Sequence, residues 1–389
     1  MPQENLENLV LYRKYRPKTF SEVAGQDHIV RTITNALLLG KVAHAYLFTG
    51  ARGTGKTTVA RLLAKAVNCE QLGVGGEPCN KCSACQEINS GRSFDLIEID
   101  AASNRGIDEI RELRDGIKFT PARLKKKVFI IDEVHMLTQP AFNALLKTLE
   151  EPPSYALFIL ATTEIHKVPQ TIISRCQRFD FRKLPLEKII TRLAWISKNE
   201  KIKIERPALE LIAMNADGCL RDGESLLGQI MAVQDKEITL KETQDILGVI
   251  DIQAVHDFIS FLANKQYAPA INHINKIIND GYDLAQFNKS LINYLRKMMV
   301  IRIDNSLATL VAPELTDNQL NSIISQGQKF SGEGLVKLIN LFLEAGREIK
   351  SSDLPQLPLE LAVVECCESN LLKTKLEVRP EVRSEKSDL

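Results

Sequence analysis

The fold is decided by residues 45–67, which read AYLFTGARGTGKTTVARLLAKAV. The first five form an apolar run, and residues 50–57 then fit the pattern G-x-x-x-x-G-K followed by Ser or Thr. Residues 57–67 repeat apolar side chains at helical spacing. A strand, a glycine-rich turn and a helix in this order let backbone amides surround phosphate oxygens at a helix start. The stretch therefore predicts a nucleotide-phosphate site, against the alternative of a chance glycine-rich turn.

The predicted contacts have distinct chemical roles. Lys56 would bring its charge to the β and γ phosphates, and Thr57 would bind Mg²⁺ through its hydroxyl. The other predicted nucleotide-binding residues of this segment are Gly50, Ala51, Arg52, Gly53, Thr54, Gly55 and Thr58. ATP and Mg²⁺ are the expected ligands.

A second apolar run, VFII at 128–131, ends in two acids. Asp132 would bind the Mg²⁺, and Glu133 would act as general base on the attacking water. Taken alone, the pair would be a solvated strand end, but the phosphate loop favours the catalytic interpretation. Residues 132–135 also match the D-E-x-H motif of helicases, so a helicase remains an alternative, opposed by the lack of a second α/β lobe.

The order of elements predicts an α/β domain over residues 1–182, because buried apolar runs alternate with helical patterns. The predicted strands are 45–49, 95–99, 127–131 and 156–161, and the predicted helices are 57–67, 107–118 and 141–150. From Leu186 onward apolar residues recur at helical spacing only, which predicts an all-helical region. We expect it to divide into a first helical domain at 183–248 and a second at 249–372, followed by a charged tail at 373–389.

Composition limits the class of protein. The 389 residues carry 50 Lys plus Arg against 49 Asp plus Glu, and 44% are hydrophobic. No apolar stretch reaches the roughly 20 residues of a membrane span, and residues 1–14 lack the apolar core of a signal peptide. We expect a cytoplasmic protein with no membrane contact. The balanced charge means that any DNA contact must be local.

The cysteines are informative because reducing compartments disfavour structural disulfides. Four of the eight are spaced C-x9-C-x2-C-x2-C. Cys69, Cys79, Cys82 and Cys85 form this set. Four thiolates favour tetrahedral Zn²⁺ and leave no open position, so a structural zinc site within 69–85 is predicted. The alternative is four free cysteines in a loop.

Several further segments resemble the AAA+ ATPases, and specifically the clamp-loader gamma/tau family of bacterial DNA polymerase III. The resemblance is dense over residues 12–230. It rests on Tyr15-Arg16-Pro17 through Phe20, Val23 to Gln26, His44 to Phe48, the four-cysteine insertion, Asp132 to Leu137, Asn143 to Pro153, Ala161-Thr162-Thr163, Ser174-Arg175-Cys176 and Leu220-Arg221-Asp222. In this family the first helical domain, 183–248, would be a lid over the nucleotide. It departs from the family pattern at Cys219 and Gly223, where Ser and Ala are usual.

The resemblance implies further site residues. Thr163, or Thr162, would sense the γ phosphate, Arg175 would be an arginine finger reaching a neighbouring subunit, and Arg221 would be a second sensor on the lid. Residues that would enclose the adenine are Tyr15, Arg16 and Val23, with ordinary packing as the alternative. A helix facing the central channel would place Asn104, Arg105, Arg111, Arg114 and Lys118 toward DNA phosphates, unless it is only a charged outer face.

The family also implies the function and the partners. The chain would be an ATP-hydrolysing motor that assembles with further copies of itself and with delta and delta-prime subunits. It would open a sliding clamp and load it onto primed DNA, within a polymerase assembly but without polymerase chemistry of its own. The second domain would be the collar through which subunits associate. A nucleotide-gated scaffold is the main alternative function.

Overall fold

The computed structural model describes residues 10–104, 106, 115–233, 237–248, 252–311, 317–349 and 351–368. The chain divides into two compact units between Thr243 and Gln244. Arg105, Arg111 and Arg114 lie outside the described residues, as do most of the helix predicted at 107–118 and the predicted tail at 373–389. The domain limits proposed from the sequence stay predictions.

The first unit is built on a five-stranded, entirely parallel sheet. Its strands are β1 (Ala45–Thr49), β2 (Leu96–Asp100), β3 (Lys127–Asp132), β4 (Ala156–Thr162) and β5 (Gln177–Asp180), in the order β2-β3-β4-β1-β5. Four of these strands were predicted from apolar runs and are confirmed to within one residue. The edge strand β5 was missed because its sequence, QRFD, buries only Phe179.

Helices cover both faces of the sheet, which explains the continuous apolar runs. Among the described residues before the lid are the helices α1 (Leu11–Lys14), α2 (Asp27–Leu38), α3 (Lys56–Asn68), α4 (Ser83–Asn89), α5 (Gln139–Glu150) and α6 (Gln170–Ile173). Along β1, Tyr46 and Phe48 enter one hydrophobic core while Ala45 and Leu47 enter the other. Since β3 pairs with β4 and β4 with β1, the residues that follow these strands share one edge of the sheet.

The lid region of the first unit is helical with one exception. It contains α7 (Leu186–Asn199), α8 (Arg206–Asn215) and α9 (Leu220–Val233), and α10 (Leu240–Leu247) follows. The prediction of an all-helical region was wrong in one detail, since β6 (Lys203–Ile204) and β7 (Glu237–Ile238) form a short parallel pair. Strands of two residues carry no readable alternation.

The second unit is helical throughout its described residues, apart from turns. Its helices are α11 (Ile252–Ala263), α12 (Tyr267–Asn279), α13 (Leu284–Ile303), α14 (Ala308–Val311), α15 (Asp317–Gly327), α16 (Gly332–Glu348) and α17 (Leu357–Glu368). Asp283 caps α13 by accepting from the amides of Ala285 and Gln286. The core includes the fully buried rings of Phe258, Phe287, Phe330 and Phe342. In the part of the chain that is described, no helix combines the length and apolarity that crossing a membrane requires.

Candidate nucleotide site

A cavity of about 650 Å³ opens at the carboxyl edge of the sheet in the first unit. The phosphate loop, the ends of β2 and β3, the N-terminal segment and α9 all contribute to its wall. The lining residues are Tyr12, Arg13, Arg16, Pro17, Val23, Ala24, Arg52, Gly53, Thr54, Gly55, Lys56, Thr57, Thr58, Glu98, Asp100, Ala102, Asp132, Glu133, Leu184, Leu220, Arg221 and Glu224. The cavity thus brings together most of the predicted site residues.

Two glycines of the phosphate loop lie where a side chain would collide with neighbours. A Cβ at Gly50 would lie 2.4 Å from the carbonyl oxygen of Phe181, and one at Gly53 would lie 2.0 Å from Sγ of Cys219. Both also have positive φ, at 146° and 70°. The loop can therefore pack this closely against Phe181 and, on the lid, against Cys219 only with glycine at these positions.

Lys56 begins α3 and is 5% exposed. Its Nζ donates to the carbonyl oxygens of Gly50 and Ala51, at 2.8 and 2.9 Å. Burial lowers the pKa of Lys56, and the carboxylates of Glu133 and Asp132 oppose that shift. The ammonium is thus held by the carbonyl groups of the loop, close enough to both acids for their charges to affect its pKa.

Thr57 and Asp132 lie together, as the predicted metal site requires. The Thr57 hydroxyl donates to Oδ2 of Asp132 at 2.6 Å, and both residues line the cavity. Hydroxyl and carboxylate oxygens are the ligands that Mg²⁺ prefers, with water and substrate phosphates completing its shell. The donor set therefore suits Mg²⁺.

Glu133 is held by the end of the neighbouring strand. Its Oε2 accepts from Oγ1 of Thr163 at 2.9 Å and from the Thr163 amide at 3.2 Å. Its backbone is left-handed, with φ of 48°. The residue before Thr163, Thr162, is fully buried, and its hydroxyl lies 3.0 Å from Nδ1 of His135. Thr163 thus contacts the predicted general base directly, although it does not line the cavity.

The lid places Arg221 against the N-terminal segment. Its guanidinium lies 4.6 Å from the centre of the Tyr12 ring, and hydrogen bonding from Arg221 lowers the pKa of Tyr12. One turn further along α9, Glu224 is 6% exposed, and burial raises its pKa to about 7 although Arg192 opposes the shift. Gly223 is also tightly packed, since a Cβ there would lie 3.3 Å from Cβ of Ala216.

Of the three residues predicted around the adenine, Arg16 and Val23 line the cavity and Tyr15 does not. The Tyr15 hydroxyl donates to Oε1 of Glu200 at 2.5 Å, and its ring contacts the Trp195 ring edge-on at 5.5 Å. The predicted adenine contact of Tyr15 is therefore not supported by its position. Lining residues that the sequence did not reveal are Tyr12, Arg13, Pro17, Ala24, Glu98, Asp100, Ala102, Leu184, Leu220 and Glu224.

One signal could have found Glu224: it stands three residues after Arg221, on the same face of a helix. Pro17, Ala24 and Leu220 lie in segments that carry the family resemblance, but no contact was predicted for them. The remaining missed residues lie in no recognised motif.

Arg175 lies away from the cavity, just after α6. Its guanidinium donates to the Thr171 carbonyl at 2.7 Å and pairs with Oε1 of Glu150 at 2.5 Å. Its side chain remains 32% exposed. Within one chain it is therefore not part of the site that contains Lys56.

The four predicted metal ligands converge. Sγ atoms of Cys69, Cys79, Cys82 and Cys85 all lie within 4.8 Å of one another, and those of Cys79 and Cys85 are 3.9 Å apart. Backbone amides of Lys81 and Cys82 donate to Sγ of Cys79 and, as the leading causes, lower its pKa to about 6. We call residues 69–85 the cysteine module. Its sulfurs are gathered for one small cation.

Two residues of the predicted DNA-facing strip are described. Lys118 pairs with Asp115 at 2.9 Å, and the Asn104 side chain donates to the Asp100 carbonyl at 3.0 Å. Neither contact tests a role toward DNA.

A parallel sheet with a phosphate loop after β1, acids after β3 and an arginine-bearing helical lid defines the AAA+ class of P-loop ATPases. Three family profiles cover most of this chain. "DNA polymerase III, delta subunit" matches residues 25–185, "DNA polymerase III clamp loader subunit, ATPase lid domain" matches 188–236, and "DNA polymerase III subunits gamma and tau domain III" matches 238–380. The chain belongs to the gamma/tau family of DNA polymerase III subunits, as the relatives below also show.

Among similar proteins, DNA polymerase III subunit gamma of Buchnera aphidicola (subsp. Schizaphis graminum) is 37% identical, over 92% of this chain and 97% of its own length. DNA polymerase III subunit tau of Bacillus subtilis is 43% identical over 92% of this chain, and that of Escherichia coli is 42% identical over 76%. The chain spans 63% and 46% of the length of those two tau subunits.

Proposed function

We propose that this chain is the ATP-hydrolysing motor subunit of a clamp loader, which opens a sliding clamp and loads it onto primed DNA during replication. The observation that carries the proposal is one cavity that joins Lys56, the Thr57–Asp132 pair, Glu133 and Arg221. Such a set can bind a nucleoside triphosphate and activate a water molecule for attack on its γ phosphate. The chain would serve a polymerase holoenzyme without performing polymerase chemistry.

In this mechanism the loop residues bind first. Lys56 would exchange the carbonyls of Gly50 and Ala51 for phosphate oxygens, and the loop amides would surround the same phosphates. Thr57 and Asp132 would hold Mg²⁺, which supplies charge compensation for the phosphates when bound.

Glu133 would then accept the proton of the attacking water. Thr163 holds this carboxylate at 2.9 Å, so a γ phosphate that attracts the Thr163 hydroxyl would release Glu133 for catalysis. On the lid, Arg221 would leave the Tyr12 ring for the phosphates, drawing α9 toward the nucleotide. The position of the lid would then depend on whether ATP is bound.

Arg175 would complete the site of a neighbouring subunit. It lies outside its own cavity and remains one-third exposed, as a residue acting between subunits should. An arginine directed at the transferred phosphate contributes several orders of magnitude in rate in other phosphoryl-transfer systems. The partners we propose are further copies of this chain, delta and delta-prime subunits, the clamp and primed DNA, all in the cytoplasm.

Zinc is the metal that suits the cysteine module. Four sulfurs around a tetrahedral Zn²⁺ at about 2.3 Å are about 3.8 Å apart, close to the 3.9 Å between Cys79 and Cys85. With four thiolates the shell is closed, so the ion would stabilise the fold and take no part in hydrolysis.

The proposal is tested by ATP turnover in the reconstituted assembly with clamp and primed DNA. Arg175→Ala chains are mixed into wild type at increasing fractions, and activity should fall more steeply than the wild-type fraction. Arg178→Ala is the matched control, because Arg178 pairs with Asp180 within the same chain at 2.8 Å. Activity proportional to wild-type content in the Arg175 series would contradict action between subunits.

A nucleotide-gated scaffold is the second candidate, favoured by the cysteine module, none of whose residues lines the cavity. Lys56→Ala distinguishes the two: a motor loses clamp loading while it still binds its partners, whereas a scaffold keeps its function. A helicase would separate strands without a clamp.

A further inference from the structure

Part of the cavity wall is formed by a segment with little regular structure. Arg16, Pro17, Val23 and Ala24 line the cavity there. The regular structure nearby is a four-residue helix, α1, and one 3-10 turn at Phe20–Glu22. Helices this short are not stable by themselves. The wall segment, residues 16–24, must therefore be held by contacts from elsewhere.

The cysteine module supplies the first of these contacts through Glu77. One carboxylate oxygen of Glu77 accepts from the Phe20 amide at 2.6 Å, and the other accepts from the Ser21 amide at 2.7 Å. Hydrogen bonds to an ionised acceptor are shorter and stronger than neutral ones. Glu77, which stands two residues before Cys79, thus fixes two consecutive amides in the middle of the wall segment.

A second contact comes from Asn80, between the second and third cysteines. Its Nδ2 donates to the Lys18 carbonyl at 3.1 Å, and its Oδ1 accepts from Nζ of Lys65 at 2.6 Å. Lys65 is 2% exposed, and it also donates to the Lys18 carbonyl at 2.8 Å. Because Lys65 lies on α3, whose first residue is Lys56, this network joins the module, the wall segment and the phosphate helix.

We propose that the cysteine module sets the nucleotide affinity of the site by positioning the wall segment. Glu77 and Asn80 are positioning residues in this scheme, since they hold residues 18–21 and do not line the cavity. A wall fixed before binding removes an ordering cost that the nucleotide would otherwise bear. The inference rests on the proposed function, because it assumes that the cavity binds ATP.

The decisive experiment compares Glu77→Ala with Glu70→Ala in the full chain. Glu70 is the matched control because its carboxylate accepts from the Ser83 hydroxyl at 2.7 Å, inside the module. With a fluorescent ATP analogue, Glu77→Ala should bind about tenfold more weakly than wild type, and Glu70→Ala should bind like wild type. KM for ATP should rise by the same factor while kcat at saturation is unchanged, because Lys56 and Glu133 are untouched.

Two further measurements separate positioning from general damage. Zinc content, measured with a chromogenic chelator, should equal that of wild type in both variants. Hydrogen exchange at the amides of Phe20 and Ser21 should accelerate in Glu77→Ala only. Glu77→Gln, which retains one carbonyl acceptor, should recover part of the affinity.

If Glu77→Ala fails to fold, Asn80→Gly decides the matter, since Asn80 has φ of 58°, which glycine adopts readily. Weaker binding in the folded Asn80→Gly variant supports the proposal. Wild-type affinity in a folded Glu77→Ala protein, or in Asn80→Gly where that is the variant measured, overturns it. Failure of wild type itself to bind the analogue would instead refute the proposed function.

Discussion

The two units bury different kinds of side chain. The first unit buries the titratable side chains of Lys56, Lys65, Lys127, Asp95 and Glu224, together with several hydroxyls and amides. In the described residues of the second unit, the buried polar groups are the amides of Asn288 and Gln326 and the Tyr294 hydroxyl that donates to Gln326, within a core rich in leucine, isoleucine and phenylalanine. A buried polar group costs stability unless it is hydrogen-bonded. In the first unit, hydrogen bonds between a buried polar side chain and the backbone of a loop offset that cost.

The partners of the buried charges show what they hold. Lys56 donates to the phosphate loop and Lys65 to the wall segment. Asp95 accepts from the amides of Ala122, Arg123 and Leu124, just before β3. The difference indicates that the first unit is built to position chemical groups, and the second to pack.

The largest effect is expected at Lys56. Lys56→Ala should reduce ATP hydrolysis about 10³-fold or more, because it removes a positive charge from the developing negative charge on the phosphates. Phosphate release under saturating ATP measures this. Asn288→Ala, the matched change of a buried polar residue in the second unit, should leave hydrolysis by the folded protein unchanged. Equal losses in both variants would contradict the contrast.

Glu133→Gln should separate binding from catalysis within the first unit. Hydrolysis should fall by about 10²- to 10⁴-fold because an amide cannot accept the proton of water at neutral pH. Binding of a fluorescent ATP analogue should persist. Glu187→Gln is the control, since that carboxylate is exposed near Arg206. Retained turnover in Glu133→Gln would assign the general base to another residue.

Phe342→Ala tests the packing role of the second unit. Removal of a fully buried ring should lower the free energy of unfolding of this unit by about 3–5 kcal/mol. Denaturant unfolding measures the loss, and the neighbouring, 42% exposed Leu343 provides the control variant Leu343→Ala. Nucleotide binding should not change. A weaker nucleotide affinity would show that the packing of the second unit influences the site.

The smallest effect is a pH dependence at Glu224. Its pKa is raised to about 7 from 4.5, so between these pH values the unfolded chain ionises the carboxyl while the folded protein keeps it protonated, and stability falls as pH rises. Relative to Glu224→Gln, wild type should therefore lose at most about 3 kcal/mol of stability as pH rises from 4.5 to 8. Below pH 4.5 the difference in stability between the two proteins should stay constant. Thermal unfolding across this range measures it. A difference that does not vary with pH would contradict the raised pKa.

Tyr15 and Tyr12 show that a sequence motif can place a segment near a site without predicting which of its side chains faces the site. The motif around Tyr15 places the N-terminal segment near the nucleotide, and Arg16 and Val23 do line the cavity. Which tyrosine faces the cavity depends on how the segment is anchored. Tyr15 contacts Trp195 on α7 and Glu200 at the C-terminal end of that helix, and these contacts hold it away from the cavity. Tyr12 faces Arg221 instead.

The sequence by itself determined the parallel sheet, the phosphate loop, the paired acids and the four-cysteine set. These are local patterns, in which backbone geometry or ligand spacing restricts the residue type over a few positions. Only the tertiary structure decided that Thr163 holds Glu133, that Arg175 lies outside its own cavity, and that Glu77 anchors Phe20. Such contacts join residues far apart in the chain, and a hydrogen bond leaves no periodic trace in either partner's sequence.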